Sequence, residues 1–97
     1  MPKVKNVEKT IWDVEGFEVH FHQNGRDVHA LRPNIPRYPY TKMAKHTMTV
    51  NDWKEGRFNQ SYPGYDAIIF DGNGTEVTAG QTQLASLRDT YSEDDND

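Results

Sequence analysis

The chain has 97 residues, of which 34% are hydrophobic and 27% are charged, and it contains no cysteine. A chain of this length forms one domain with a small core, and the absence of cysteine excludes disulfides, thiolate catalysis and cysteine metal sites. No apolar run approaches the roughly 18–20 residues that span a bilayer, and no signal-peptide pattern begins the chain, so we predict a cytoplasmic protein without a membrane partner.

The net charge of -4 conceals an uneven distribution. Residues 26–58 hold seven Lys or Arg and three Asp or Glu, which gives +4, whereas residues 59–97 hold one and eight, which gives -7. Residues 92–97 include no apolar side chain and several acidic ones, which predicts a disordered acidic tail. At the other end, the polar residues 1–9 are predicted to form a flexible arm.

Residues 10–31 predict three short antiparallel strands joined by two tight turns. The middle of this stretch alternates between apolar and polar side chains, as a half-buried strand does. Asn24-Gly25 favours a type I′ hairpin turn, and Glu15-Gly16 is interpreted as a second turn. The predicted register places seven side chains on one face, towards the core: Trp12, Val14, Phe17, Val19, Phe21, Val28 and Ala30.

The opposite face of this meander would carry three histidines. The register places His20 opposite His29, with Cβ atoms roughly 4.5–5.5 Å apart, and His22 lies two residues along the same strand. Imidazole and carboxylate groups at such distances can bind Zn²⁺, so the three histidines are candidates for a divalent metal site. The alternative is that they face solvent, and because no fixed metal-site spacing surrounds them we predict no cofactor.

Three prolines within residues 33–39 exclude a helix or a central strand there and predict a stiff, extended loop. Thr49 with Asp52 then approximates a capping box, which predicts the start of a short helix. Basic and aromatic side chains are concentrated in this loop and helix. We predict that eight of them, within residues 32–58, form a binding site: Arg32, Arg37, Tyr38, Tyr40, Lys42, Lys45, Trp53 and Arg57.

The composition of this region is compatible with two kinds of partner. Arginine with exposed aromatic rings is typical of protein-interface hot spots and also of surfaces on which single-stranded nucleic acids stack their bases. A structural alternative is that Tyr38, Trp53 and Phe58 fill the small core. Since the overall negative charge disfavours phosphate neutralisation, we predict a protein partner, with single-stranded nucleic acid as the second interpretation.

Residues 65–77 predict a second hairpin, which turns at residues 71–74. A capping-box pattern, Thr78 with Gln81, then predicts the start of a C-terminal helix. That helix would carry one apolar stripe: Leu84, Leu87 and Tyr91.

Together these elements predict an α+β fold with a small, mainly antiparallel sheet, a short middle helix and a C-terminal helix. The sheet would combine the N-terminal meander with the later hairpin, and residues 10–91 would form a single domain. No nucleophile motif or phosphate-binding loop occurs, so we predict a non-enzymatic interaction module. Ile11 and Leu31, both apolar on the outer face of the meander, favour a homodimer.

Overall fold

The structure, a computed structural model, describes residues 2–91. The three strands of its single sheet are antiparallel, and the predicted α+β class with helices in the middle and at the C-terminus is confirmed. Among the described residues, no helix is long and apolar enough to cross a membrane. In chain order the elements are α1 (Val4–Glu15), β1 (Glu18–Gln23), β2 (Arg26–Asp27), α2 (Val50–Trp53), a π-helical turn (Lys54–Phe58), α3 (Asn59–Ser61), β3 (Asp66–Phe70) and α4 (Leu84–Asp89).

Helix α1 occupies the region for which the sequence pattern predicts the first strand of the meander, and that prediction is wrong. Its buried side chains include Val4, Val7 and Ile11, whose spacing of three and four residues is that of one helical face. The alternation that suggests a strand covers only residues 10–14, so the longer helical pattern prevails. Gly16 ends the helix in the left-handed conformation, with a φ of 83°, and is a helix cap rather than a hairpin residue.

The helix changes the environment of the whole N-terminal region. Residues 4–9, which are predicted as part of a flexible arm, belong to α1. The burial of two neighbouring residues is also the reverse of that predicted, because Ile11 is fully buried whereas Trp12 is 42% exposed. The prediction of Trp12 as a core residue is therefore wrong, and Ile11 does not lie on an outer face.

The hairpin between β1 and β2 forms as predicted at its turn. Asn24 and Gly25 have positive φ angles of 54° and 79°, as a type I′ turn requires. His22 pairs with Asp27, in agreement with the predicted register. The order of the sheet is β2-β1-β3, so β1 is the central strand.

The chain leaves the sheet after Val28 and caps α1. The carbonyl oxygens of Ala30 and Arg32 accept hydrogen bonds from the backbone N–H groups of Lys5 and Val4, at 2.9 and 3.1 Å. The first N–H groups of a helix have no partner within it, and these carbonyls supply one. Ala30 is consequently exposed, so its predicted place in the core is wrong, and the later part of the predicted register does not form.

Strand β3 completes the sheet beside β1. Ala67 and Ile69 face the core and pair with residues of β1. The predicted turn after β3 is present, and a carboxylate oxygen of Asp71 accepts hydrogen bonds from two backbone N–H groups within it. The predicted return strand is reduced to a single bridge between Phe70 and Glu76.

Helix α2 begins at the predicted capping box. The Thr49 hydroxyl accepts a hydrogen bond from the Asp52 N–H at 3.1 Å, and the Asp52 carboxylate accepts one from the Thr49 N–H at 3.3 Å. The helix continues through the π-helical turn into α3. Its inner side carries Val50, Trp53 and Phe58, all of which are buried.

Helix α4 begins later than predicted. Thr78 and Gln81 do not form a capping box, and the first helical residue is Leu84. The carbonyl oxygens of Gly80 and Thr82 instead accept hydrogen bonds from N–H groups at the start of α2, which holds this segment in a non-helical conformation.

One core joins most of these elements, although β2 and α3 contribute no buried residue of their own. It is mainly aromatic and aliphatic, and the sequence-predicted stripe of α4 contributes Leu84 and Leu87, with Tyr91 half-buried beside it. Residues 92–97, for which a disordered tail is predicted, lie outside the described residues. The largest fully buried hydrophobic side chains are Trp53, Tyr62, Phe17, Phe21, Phe58, Ile11, Ile69, Leu84 and Leu87.

Candidate functional site

The segment 32–45, which we call the strap, runs along α1 from its first residue to its last. At one end the Arg32 carbonyl accepts a hydrogen bond from the Val4 N–H at 3.1 Å. At the other end the Ala44 N–H donates to Glu15 Oε1 at 2.8 Å. Because its prolines cannot donate to a sheet ladder, the strap is held by contacts with the helix rather than by strand pairing.

Tyr38 anchors the middle of the strap. Its ring is 6% exposed, and its hydroxyl donates to Glu15 Oε2 at 2.5 Å and accepts from Trp53 Nε1 at 3.2 Å. Burial and the adjacent Glu15 carboxylate raise the pKa of Tyr38, so the hydroxyl stays a donor at neutral pH. With the buried side chains of Ile35 and Ala44, this ring fixes the strap to the body of the protein.

Glu15 is the centre of a buried polar cluster. Its side chain is fully buried, Oε2 accepts from Arg57 Nη1 at 2.7 Å, and Oε1 accepts from Arg88 Nη2 at 3.2 Å. The contacts from Tyr38 and Ala44 complete its hydrogen bonding. Burial acts to lower the pKa of Arg57, but hydrogen bonds and charges of Tyr38 and Glu15 outweigh it and raise that pKa. These charge-assisted hydrogen bonds fasten α1 to the strap, the π-helical turn and α4.

The eight predicted binding residues differ in burial, because two are buried, two are half-buried and four are exposed. Tyr38 and Trp53 are buried, and Tyr40 is half-buried under Arg57, whose guanidinium carbon lies 4.2 Å from the ring centroid. The expectation of an exposed aromatic platform is therefore wrong for Tyr38 and Trp53, which fill the core. The remaining predicted residues are exposed: Arg32, Arg37, Lys42 and Lys45.

Three of these cations have no ion-pair partner in the described part of the chain. Arg32 donates to Gln23 Oε1 at 3.0 Å. In contrast, Arg37, Lys42 and Lys45 form no ion pair with any residue of the described range 2–91. The strap therefore presents three positive charges to solvent from a backbone that is fixed on its inner side.

A cleft of about 410 Å³ separates the strap from one flank of α1. The Thr10 hydroxyl donates its proton to the Asn6 carbonyl at 3.0 Å, so the Asn6 amide and the Arg37 guanidinium are the side-chain donors that can meet a ligand there. A guanidinium binds a carboxylate through two parallel hydrogen bonds, so the cleft suits an acidic side chain. Its lining residues are Pro2, Asn6, Val7, Thr10, Arg37 and Tyr38.

The histidines do not form the proposed metal site. His20 Nε2 lies 2.6 Å from Glu18 Oε2, and His22 Nε2 lies 2.6 Å from Asp27 Oδ1. His29 lies beyond the end of β2, so the predicted His20–His29 pair does not form. Within residues 2–91 there is no group of three side chains that could hold a metal ion.

Glu15 is the residue of this region that sequence reasoning misses, since the pattern assigns it to a turn. The available signal is its position four residues after Ile11, on the buried face of an amphipathic helix.

Comparisons of the chain with protein-family models, with curated proteins and with solved structures find no match. A functional assignment therefore has to be argued from the geometry alone.

Proposed function

We propose that the protein is a non-enzymatic binding module that holds an acidic segment of a partner protein against the strap. The observation that carries this proposal is the set of three exposed cations, Arg37, Lys42 and Lys45, which have no counter-charge among the described residues. They alternate along the strap with the buried residues Tyr38 and Ala44.

The strap is organised before any partner arrives. A flexible loop loses conformational entropy when it binds, and fixing it beforehand lowers that cost. Here the order comes from folding itself, because Tyr38 and Ala44 are tied to Glu15. The Arg37 side chain beside the cleft can then pair with one carboxylate, while Lys42 and Lys45 attract the rest of an acidic segment.

The geometry favours protein over nucleic acid as the partner. A single-stranded nucleic-acid site combines positive charge with rings on which bases stack. Tyr38 and Trp53 are buried and Tyr40 is covered by Arg57, so the strap supplies charge without a stacking platform. Among residues 2–91, Glu15 is the one fully buried carboxylate. Its oxygens are saturated with hydrogen bonds, which supports the non-enzymatic assignment.

Fluorescence anisotropy would test the proposal with two labelled probes of equal charge, a polyglutamate peptide and an oligothymidylate. We expect the peptide to bind the wild-type protein more tightly, and Arg37→Ala to weaken its binding. Arg26→Ala is the matched control, because Arg26 is an exposed arginine on β2 outside the strap. Equal losses in both variants, or tighter binding of the oligothymidylate, would contradict the proposal.

The proposal retains two further predictions, a cytoplasmic location and a homodimer. Of the two residues that motivate the dimer, Ile11 is in the core, whereas Leu31 is 49% exposed. Light scattering at high protein concentration should give the mass of a dimer, and Leu31→Asp should give a monomer. A wild-type protein with the mass of a monomer would contradict the dimer prediction. Cell fractionation would test the location.

A further inference from the structure

A groove of about 550 Å³ lies on the flank of α1 that faces away from the strap cleft. At 100° per residue, Glu8 and Trp12 project from the opposite side of the helix to Asn6 and Thr10. The second wall of the groove is the first half of β1. Its lining residues are Glu8, Lys9, Trp12, Glu18, Val19 and His20.

Trp12 is the only exposed aromatic residue in the described part of the chain, at 42%, and its ring is held by neighbouring contacts. Its ring meets the Tyr91 ring at a centroid distance of 5.0 Å and an angle of 74°. Tyr91 is fixed in turn, since its hydroxyl accepts from the Glu18 N–H at 3.0 Å and donates to the Phe70 carbonyl. A rigid, partly exposed tryptophan is the residue type most often found at the centre of binding hot spots.

Two carboxylates flank the ring, and each retains one oxygen without a hydrogen bond from the described residues. Glu8 Oε2 accepts from the Phe21 N–H at 2.8 Å, and Glu18 Oε2 lies 2.6 Å from His20 Nε2. Burial raises the pKa of Glu8 above its usual value, although the Phe21 N–H and the neighbouring His20 act to lower it. An incoming cation would supply further positive charge.

The groove's own lysine does not provide it. Lys9 Nζ lies 3.1 Å from Asp13 Oδ2, and both side chains are largely exposed at 73% and 56%. Lys9 is thus directed along the outer surface of α1 to the next helical turn. The groove therefore combines an exposed aromatic ring with two carboxylates, Glu8 and Glu18, that share the single imidazole of His20.

We propose that this groove binds an arginine side chain of a partner protein, with the guanidinium over the Trp12 ring and paired with Glu8 and Glu18. Arginine is the cation that most often stacks on aromatic rings, and tryptophan is the most favourable ring. Its planar fork also pairs with carboxylates in a way that lysine cannot reproduce. The proposal does not depend on the strap, which carries the opposite charge on the opposite flank of α1.

The two tryptophans make the test direct, because Trp12 is 42% exposed and Trp53 is fully buried. Acrylamide should quench the fluorescence of Trp12 and leave that of Trp53 as an internal reference. We expect a short arginine-containing peptide to protect Trp12 from acrylamide. The same peptide with citrulline, which keeps the shape of arginine without its charge, should not protect it.

Variants locate the binding site by isothermal titration of the arginine peptide. Trp12→Leu should weaken binding about tenfold, as the loss of a hot-spot residue does. Met43→Leu is the matched control, since Met43 is 48% exposed and lies outside the groove. Glu8→Gln and Glu18→Gln should each weaken binding several-fold, whereas Glu55→Gln, an exposed residue of the π-helical turn, should leave it unchanged.

Three results would overturn the proposal. Equal protection by the citrulline peptide would mean that the groove recognises shape or apolar surface. Absence of protection at millimolar arginine peptide would mean that the groove does not bind this side chain. Protection that increases with protein concentration in the absence of peptide would mean that a second copy of the chain covers Trp12.

Discussion

The two tryptophans lie in opposite environments, because one is enclosed in the core against the strap and the other borders an open groove on α1. Trp53 is fully buried, meets Phe17 edge-on at 5.1 Å and donates its indole N–H to Tyr38. Trp12 is 42% exposed and contacts Tyr91 beside an open groove. The strap closes the first region, whereas no described segment covers the second.

This contrast separates the residues that hold the fold from those that remain available for binding. Around Trp53, four polar groups from three parts of the chain donate hydrogen bonds to Glu15 and saturate its carboxylate. Around Trp12, Glu8 and Glu18 keep oxygens without described hydrogen bonds. Substitutions in the first region should therefore affect stability, and those in the second should affect binding.

Glu15→Gln should have the largest effect on stability. The change leaves Arg57 and Arg88 without their buried counter-charge, and breaking a buried ion pair costs about 3–5 kcal/mol. Urea unfolding would measure the loss. Asp13→Asn, a carboxylate change on the exposed side of α1, is the control and should alter the free energy of unfolding by less than about 0.5 kcal/mol. Similar values for both variants would contradict the fastening role of Glu15.

Ile11→Ala should lower the free energy of unfolding more than Trp12→Ala does, because the helix buries Ile11 and leaves Trp12 partly exposed. Ile11 is fully buried, and truncation of such a side chain costs about 2–5 kcal/mol. Trp12→Ala should cost less, since much of its ring is already in water. If residues 10–14 formed a strand with Trp12 inside, thermal or urea unfolding would show the reverse order, and the fold described here would be wrong.

Tyr38→Phe should have an intermediate effect on stability. It removes the hydroxyl that joins Glu15 to Trp53 and leaves a buried indole N–H without its acceptor, which costs about 1–3 kcal/mol. Tyr40→Phe is the comparison, because the Tyr40 hydroxyl makes one long contact of 3.4 Å with the Gly56 carbonyl. Tyr40→Phe should therefore lower the free energy of unfolding less than Tyr38→Phe does. Equal losses in urea unfolding would show that the Tyr38 hydroxyl does not anchor the strap.

Glu8 should have the smallest effect on stability, and its effect should depend on pH. A carboxyl whose pKa is higher in the folded state binds its proton more tightly there, so the native protein holds more protons than the unfolded chain in this window. Its contribution to stability is therefore greatest below the unfolded value of 4.5 and is lost as the pH rises through the higher folded value. Urea unfolding at a series of pH values should therefore show Glu8→Gln gaining stability relative to the wild type as the pH rises through this window. A difference between the two proteins that stays constant with pH would contradict this.

The sequence predicts those parts of the structure that depend on neighbouring residues. The Asn24-Gly25 turn, the capping box of Thr49 with Asp52, and the apolar strand before Asp71 are all present. Each is decided within a few residues by turn geometry, capping or apolar patterning. The general α+β class follows from them.

Features that depend on distant contacts could not be read in the same way. Glu15 is buried only because Arg57 and Arg88, 42 and 73 residues away, neutralise it. The ambiguous residues 10–14 were decided by the extension of the apolar face to Val4, and the burial of Trp53 depends on the strap. Basic and aromatic composition therefore identifies the cations of the binding surface but not which rings are free.

The most direct test of the contrast between the two tryptophans is acrylamide quenching of the wild-type protein and of Trp12→Phe, which retains Trp53 alone. The structure predicts that wild-type fluorescence contains an easily quenched component, that this component disappears in Trp12→Phe, and that the remaining emission is blue-shifted and resists quenching. If the emission of Trp12→Phe were quenched as readily as that of the wild type, Trp53 would not be enclosed in the core against the strap, and the contrast between the two environments would be contradicted.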